Sequence, residues 1–406
     1  MTANRSMGLR AMAVLILPLL SVPVAVAGAE GAGAPQSALD SAHGADSRRE
    51  LRATECRRIL REVHDLQKNV GLSAAVSVDG EIVFEETFGL ASLELHVPVD
   101  TGTRFLLASL TKAFTGATLM KLREKGLIDL DAPITRYLPE APAAEWKSIT
   151  ARLLAAHLGG IRGYRDGEKT PEFHWKHFSS AREAIGIFLQ DPLASAPGSA
   201  YAYTSFGYNI LAAVMEAASG QPYASLVAEE VLRPLGLQDT AFDDVRAVTD
   251  RLASNYTYYA PYTYEPIEEV MAVPHVDYSY NQGGGNMVST ARDLIRFGEA
   301  FTRPGFFNAE SLALFRQRQG VAGVDSPWSF GWFAGPGAGE DQAIYITGAF
   351  TGVQSALWVW PARRIVVVVL SNCWGIGSRS GDMVIRGPSA VGGVWKEGWR
   401  PESPAP

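Results

Sequence analysis

The sequence predicts an α+β fold. One antiparallel sheet is built from both chain ends, flanked by helices, with a large mostly helical insert between them. Three observations predict this. Near the start, Leu72–Val78 and Ile82–Phe88 are strand-like and flank Asp79-Gly80, a type I′ turn signal. Four further runs close the chain: Ser329–Ala334, Gln342–Ile346, Val353–Trp360 and Ile365–Ser371. Between the two groups, residues 105–310 read mostly as helices and long loops. Val366–Val369 has the apolar continuity of a strand buried on both faces. Apolar strands at two ends of a chain bury most simply in one shared sheet. The cleft between such a sheet and a helical lobe is a frequent location for a small-molecule site.

Composition sets the class. Of 406 residues, 47% are hydrophobic and 19% charged, too apolar and too weakly charged for a disordered chain. The 36 Lys and Arg against 43 Asp and Glu give a net charge of −7. Acids and bases are interspersed with no basic run, so nucleic acid is not an expected partner. The 7 His and 2 Cys lack ligand-like spacing, and neither a metal nor a cofactor is expected.

The elements follow in order. Arg5 and Arg10 precede an apolar run from Ala11 to Ala27 that Pro18 and Pro23 interrupt and that ends in Ala25-Val26-Ala27. Residues 1–27 therefore read as a signal peptide cleaved near Ala27, with a secreted or periplasmic product and no membrane span in the mature chain. An Ala-, Gly- and Ser-rich stretch at 28–48 reads as a flexible leader. One domain is expected over 49–372, opened by a helix over 50–69 with Leu51, Ile59, Leu60, Val63 and Leu66 on its apolar stripe. In the insert, helices are expected at Phe206–Ser219, stopped by Gly220, and at Ala224–Leu232, closed by Pro234. A third runs over Thr290–Phe301, with Thr290 as cap and Asp293 at N3. Gly375, Gly377, Gly381, Gly387 and Pro388 make 373–406 an expected irregular tail. Export permits a disulfide between Cys56 and Cys373, and two free buried thiols fit the sequence equally well.

The chemistry-bearing motif is Ser109-Leu110-Thr111-Lys112 at a helix start. Leu110, Phe114, Ala117 and Leu122 support a helix running to Lys125 and ending at Gly126. Positions three apart share a helix face, so the Lys112 ammonium reaches the Ser109 hydroxyl. Burial and the positive helix end both lower a lysine pKa. A neutral lysine can take the serine proton and leave a nucleophile. A helix cap followed by a solvated lysine would spell the same four letters, so the motif gains its weight from context.

That context resembles the serine β-lactamase and penicillin-binding-protein superfamily, in its class C-like branch of β-lactamase-related hydrolases and carboxylesterases. The first motif is carried by Phe105-Leu106-Leu107-Ala108-Ser109-Leu110-Thr111-Lys112, followed by Gly126-Leu127-Ile128-Asp129-Leu130-Asp131-Ala132-Pro133-Ile134. Ala156-His157-Leu158-Gly159-Gly160-Ile161 resembles the turn below the family's site, and Tyr203-Thr204-Ser205-Phe206-Gly207-Tyr208 its second motif. Leu232-Arg233-Pro234-Leu235-Gly236-Leu237, Gly283-Gly284-Gly285-Asn286-Met287-Val288-Ser289-Thr290 and Ile346-Thr347-Gly348-Ala349 complete the series, the last in place of the third motif. The resemblance covers about residues 50–372 and implies a β-lactamase/transpeptidase-like fold. It implies Ser109 as nucleophile, Lys112 as its base or proton relay and Tyr203 as a second proton-transfer group. It further implies an oxyanion hole from the backbone N–H groups of Ser109 and Ala349, and substrate contacts from Ser205, Ile346, Thr347 and Gly348. It makes the first helix and last strand neighbours, which fits a Cys56–Cys373 disulfide.

Two departures bear on function. Ser205 stands where the family usually has Asn, and a hydroxyl lacks the amide's two donors. Ile346 stands where it usually has Lys or His, and an aliphatic side chain cannot bind a substrate carboxylate. Arg162 and Arg292 are the first candidates for a substitute cation. His157 reads as a hydrogen-bonded structural histidine. The absence of a Gly-x-Ser-x-Gly elbow removes the main rival serine-hydrolase fold. The expected function is an exported serine hydrolase that acts through an acyl-enzyme on small neutral esters, amides or short peptides. The alternatives are a non-catalytic binding or scaffolding protein of the same fold, and a β-lactamase or D,D-peptidase.

Overall fold

A computed structural model describes residues 44–165, 168, 175–260, 265–321, 323–335, 339–375 and 382–396, without the side chains of 44–47, 143 and 382–387. The expected signal peptide, residues 1–27, and the expected leader before residue 44 lie outside the described residues.

Eight strands form one antiparallel sheet. They are β1 (Gly71–Val78), β2 (Glu81–Ser92), β3 (Val97–Pro98), β4 (Trp328–Ser329), β5 (Trp332–Ala334), β6 (Ile344–Phe350), β7 (Val353–Trp360) and β8 (Ile365–Ser371), in the order β3-β2-β1-β8-β7-β6-β5-β4. The two chain ends meet where β1 pairs with β8, Leu72 opposite Ser371 and Val78 opposite Ile365. The first hairpin turns at Asp79 and Gly80, with φ of 54° and 87°, the two positive values of a type I′ turn. β8 is buried along its whole length, as its unbroken apolar run requires.

Two of the closing strands differ from expectation. Ser329–Ala334 is split into β4 and β5 at Phe330 and Gly331, whose φ values are 41° and 93°. A Cβ at Gly331 would lie 2.1 Å from the Lys112 carbonyl oxygen, so the chain turns there to let a helix pass. β6 starts later than expected and runs on through Gly348 and Ala349, because its pairing with β7 continues from Ile344 opposite Val359 to Phe350 opposite Val353.

Helices cover both faces. Helix α1 (Gly44–Leu66) begins inside the expected leader. Inside the insert, α2 (Thr111–Glu124), α3 (Ser205–Ser219) and α4 (Ala291–Glu299) are the longest helices. As expected, α3 ends at Gly220, with φ of 71°, and Thr290 caps α4 by accepting from the Asp293 N–H. The insert also holds a small sheet in which Met287–Ser289 pairs with both Phe105–Leu106 and Ala241–Phe242. α4 lies against the sheet face of Leu357 and Val366, where a Cβ at Gly298 would come within 2.5 Å of Val366.

Part of the tail expected to be irregular is helical: residues Asp382–Lys396 form helix α5, with Pro388 inside it, while 376–381 and 397–406 lie outside the described residues. Glycine and proline disfavour a helix by about 1 and 3 kcal/mol per residue. Here tertiary burial overrides them, with Val391 at 1% and Trp395 at 0% exposure. Gly392 is a packing residue, since a Cβ there would lie 2.3 Å from the Trp360 ring. α5 covers the sheet face opposite α4 and meets α1, where Trp395 Nε1 donates to Cys56 Sγ at 3.2 Å. Cys56 and Cys373 are both buried and free, so the disulfide does not form. Burial pushes the two thiols up to about 11 and about 12 respectively. Trp395→Ala removes a fully buried ring where α5 meets α1 and should lower stability by about 3–5 kcal/mol, read as a fall in the denaturant midpoint. A shift below about 1 kcal/mol would mean that α5 is not packed there.

Candidate active site

The site is built where α2 begins. The short strand Phe105–Leu106 leads into a 3-10 turn, Ala108–Leu110, and then into α2. Ala108 has a φ of 48°, a left-handed conformation that a residue with a Cβ adopts only under constraint. The constraint comes from both sides. The Leu107 N–H donates to the Met287 carbonyl at 2.8 Å, and Ser355 Oγ of β7 donates to the Leu107 carbonyl at 2.7 Å. β6 presses in at Gly348, where a Cβ would lie 2.1 Å from the Leu107 oxygen. The turn presenting Ser109 is thereby held against the strand that carries Ala349.

Three of the expected residues meet at one point. Ser109 Oγ is 2.7 Å from the Tyr203 hydroxyl and accepts from Lys112 Nζ at 3.1 Å. Lys112 has no exposed surface. Its ammonium also donates to Ser205 Oγ at 3.0 Å and to the Gly284 carbonyl at 2.7 Å. All three of its partners are neutral oxygens. Burial pushes the Lys112 pKa down from the ordinary lysine range, and the neighbouring Tyr203 opposes this.

Tyr203 is aimed by the start of α3. Thr204 caps that helix by accepting from the Phe206 N–H at 3.2 Å, and its hydroxyl donates to the Arg162 carbonyl at 2.9 Å. His157 supports the other side. It is buried, its Nδ1 accepts from the Thr204 N–H at 3.3 Å, and its ring centroid is 4.5 Å from that of Tyr203. Burial first, and then the Lys112 charge, hold its pKa well below the usual histidine range. The sequence reading of a hydrogen-bonded histidine holds. Its packing against Tyr203 had no signal in the sequence.

The third-motif strand differs from expectation. Ile346 is fully buried in the core, on the same face of β6 as Gly348, and does not form an open wall of the cleft. Thr347 is half-buried, Gly348 is buried under the Ser109 turn, and Ala349 is exposed. The two candidate cations are both taken. Arg162 is paired with Glu168 and Asp191, and Arg292 with Glu85. The Gly284 carbonyl was missed as a Lys112 partner, although the run Gly283-Gly284-Gly285 is a signal of close backbone approach. A Cβ at Gly283 would lie 2.1 Å from the Tyr208 carbonyl oxygen. Among the described residues, no cluster of His, Cys, Asp and Glu is arranged to hold a metal ion. Among them, too, no helix is long and apolar enough to cross a membrane.

Comparison with known proteins gives the family. The Beta-lactamase family model matches residues 56–383. Esterase EstB of Burkholderia gladioli is 31% identical over 349 residues, covering 75% of this chain and 86% of that protein. The human mitochondrial serine beta-lactamase-like protein LACTB is 30% identical over 315 residues, covering 61% of this chain. That match spans only 56% of the human protein, so the chain corresponds to little more than half of that relative. The octameric penicillin-binding protein homologue from Pyrococcus abyssi superposes with a TM-score of 0.70 at 21% identity, covering 85% of this chain and 78% of that one. The family match spans the sheet, the insert and the Ser109 site alike, and the chain belongs to the serine β-lactamase-like and penicillin-binding-protein superfamily.

Proposed function

We propose that the protein is an exported serine hydrolase that cleaves small neutral esters, amides or short peptides through an acyl-enzyme on Ser109. One observation carries this reading: a fully buried lysine, bonded only to neutral oxygens, donates to a serine hydroxyl that also touches a tyrosine hydroxyl. In the proposed cycle neutral Lys112, coupled to Tyr203, takes the Ser109 proton as Oγ attacks the substrate carbonyl. The backbone N–H groups of Ser109 and Ala349 stabilise the oxyanion. Tyr203 returns the proton to the leaving group, and a water repeats the sequence to release the acid. Ser205, Thr347 and Gly348 border the bound acyl group, and Ile346 acts from the core beneath them. Export rests on the pattern of residues 1–27, and the esterase relative supports an ester substrate.

The neutral-substrate preference follows from charge. A carboxylate on the substrate would receive no cation from β6, where Ile346 is aliphatic and buried, and Arg162 and Arg292 already serve other carboxylates. A charge-assisted hydrogen bond of that kind is worth about 1.5–3 kcal/mol, and a desolvated carboxylate without one is penalised further. This weighs against a β-lactamase or D,D-peptidase. The intact Ser109, Lys112 and Tyr203 contacts weigh against a non-catalytic scaffold.

The nucleophile is tested by exposing parent and Ser109→Ala to a fluorophosphonate and measuring intact mass. The parent should gain one adduct and the variant none, and turnover should fall by several orders of magnitude with little change in stability. Retained turnover in Ser109→Ala would sink the mechanism. The base is tested by pH. Lys112 acts when neutral, and its lowered pKa moves the ascending limb of kcat/KM below the ordinary lysine value of about 10.4. Activity should therefore rise through neutral into mildly alkaline pH, whereas a maximum near pH 5 would identify a carboxylate base. Substrate charge is tested by comparing kcat/KM for a nitrophenyl ester and a chromogenic cephalosporin. The ester should be favoured, and the opposite order would require a cation that this reading lacks.

A further inference from the structure

Helix α2 makes a second contact with the loop that receives Lys112, and the proposed proton transfer does not use it. Thr115 lies three residues after Lys112, on the same face of the helix. It has no exposed surface. A threonine inside a helix commonly returns its hydroxyl proton to the carbonyl four residues back. Here that carbonyl, of Thr111, is 3.4 Å away, whereas the Gly283 carbonyl accepts from Thr115 Oγ1 at 2.6 Å. The same oxygen is 2.7 Å from the Tyr223 hydroxyl. A hydroxyl has one proton to donate. Thr115 spends its proton on Gly283, so Tyr223 is the donor to Thr115. The chain of bonds runs from Tyr223 through Thr115 to the Gly283 carbonyl.

Tyr223 is fixed for that role. It opens the short helix Tyr223–Val227 and is 1% exposed. Its backbone N–H donates to Glu216 Oε1 of α3 at 3.0 Å, and its ring meets Phe242 in a T-shaped contact at 5.6 Å. Burial pushes the phenol up from its ordinary range, so it keeps the proton that it donates. At the other end of the chain, the peptide between Gly283 and Gly284 is gripped twice. Thr115 holds its oxygen, and the Asn281 carbonyl accepts from its N–H at 3.1 Å. The next carbonyl along, that of Gly284, accepts from Lys112 Nζ at 2.7 Å. Consecutive glycines have no side chains to restrict their torsions, so the direction of the Gly284 carbonyl depends on these outside bonds. Lys112 and Thr115 thus hold two successive carbonyls of one loop from one helix face.

We propose that Thr115 is a positioning residue which, with Tyr223 as its donor, holds the Gly283–Gly284 backbone so that the Gly284 carbonyl meets the Lys112 ammonium. The assignment rests on the Ser109 reading and adds what sets the strength and aim of its base. A carbonyl bonded to an ammonium favours the protonated form. Without the Thr115 bond the carbonyl is free to retreat, and Lys112 then holds its proton less strongly and is a weaker, less well-aimed base. Lys112 also faces the Tyr203 and Tyr208 rings, whose centroids lie 5.1 and 5.6 Å from Nζ, and buried His157. None of these is altered in the variants that follow.

The test reads serine activation directly and needs no substrate. The rate of fluorophosphonate labelling is followed by intact mass across pH in the parent, Thr115→Val, Thr115→Ser and Tyr223→Phe. Valine keeps the branched shape and removes the hydroxyl, whereas serine keeps the hydroxyl. In Thr115→Val the ascending limb should move to lower pH by about half a unit or more, and the plateau rate should fall about tenfold. Thr115→Ser should return the limb to within about 0.2 unit of the parent. Tyr223→Phe should shift it in the same direction as Thr115→Val, by a smaller amount. A parental limb in Thr115→Val, or equal shifts in Thr115→Val and Thr115→Ser, overturns the assignment. So does a parental limb in Tyr223→Phe, which tests the same chain even where Thr115→Val does not fold. Labelling of the parent with an unmoved limb in the variants removes Thr115 alone, whereas a parent that is not labelled removes the Ser109 reading and this assignment with it.

Discussion

Burying the Lys112 ammonium is the constraint around which the site is arranged. A cation without exposed surface must satisfy its N–H groups inside the protein or lose its proton. Its three acceptors come from three segments: Ser109 from the turn before α2, Ser205 from α3, and the Gly284 carbonyl from the loop before Met287–Ser289. None is charged. A carboxylate partner would have held the lysine protonated, as paired buried charges do. Neutral oxygens let desolvation dominate instead, and a lysine that gives up its proton readily is what serine activation needs.

Convergence of those segments requires backbone to approach backbone more closely than side chains permit. Gly116 of α2 faces the Phe330 carbonyl, where a Cβ would lie at 1.7 Å, and Gly331 faces the Lys112 carbonyl at 2.1 Å. Gly348 does the same for β6 against Leu107. The sheet and α2 are therefore keyed to one another around the lysine. The strained Ala108 is held from both sides by Met287 and Ser355. Residual strain at such a position is tolerable only when its surroundings leave it no alternative.

What could be read from the sequence divides along the same line. The β1–β2 hairpin, the β7 and β8 strands and the capped helices α3 and α4 were legible because local signals and burial agree there. Ser109, Lys112 and Tyr203 were legible because motif order placed them together. The C-terminal helix was not, since Gly392 and Pro388 break a helix by propensity, and only the Trp360 ring and the buried Trp395 explain why the helix forms. The disulfide was open in the sequence because pairing depends on direction as well as proximity, and Cys56 instead faces Trp395. The substrate contact expected of Ile346 did not foresee its burial, because strand alternation alone does not say which face of β6 the core covers.

The burial of Ile346 changes what that position does. A Lys or His in its place would share the β6 face of Gly348, the face that touches the Ser109 turn. A second cation buried on that face would add a like charge on the sheet side of the Ser109 turn, and a like charge disfavours a protonated lysine. With an aliphatic residue that effect does not operate. The protonation of Lys112 in the unliganded site is then set by its burial and its three neutral partners, with no second cation from β6 added to them.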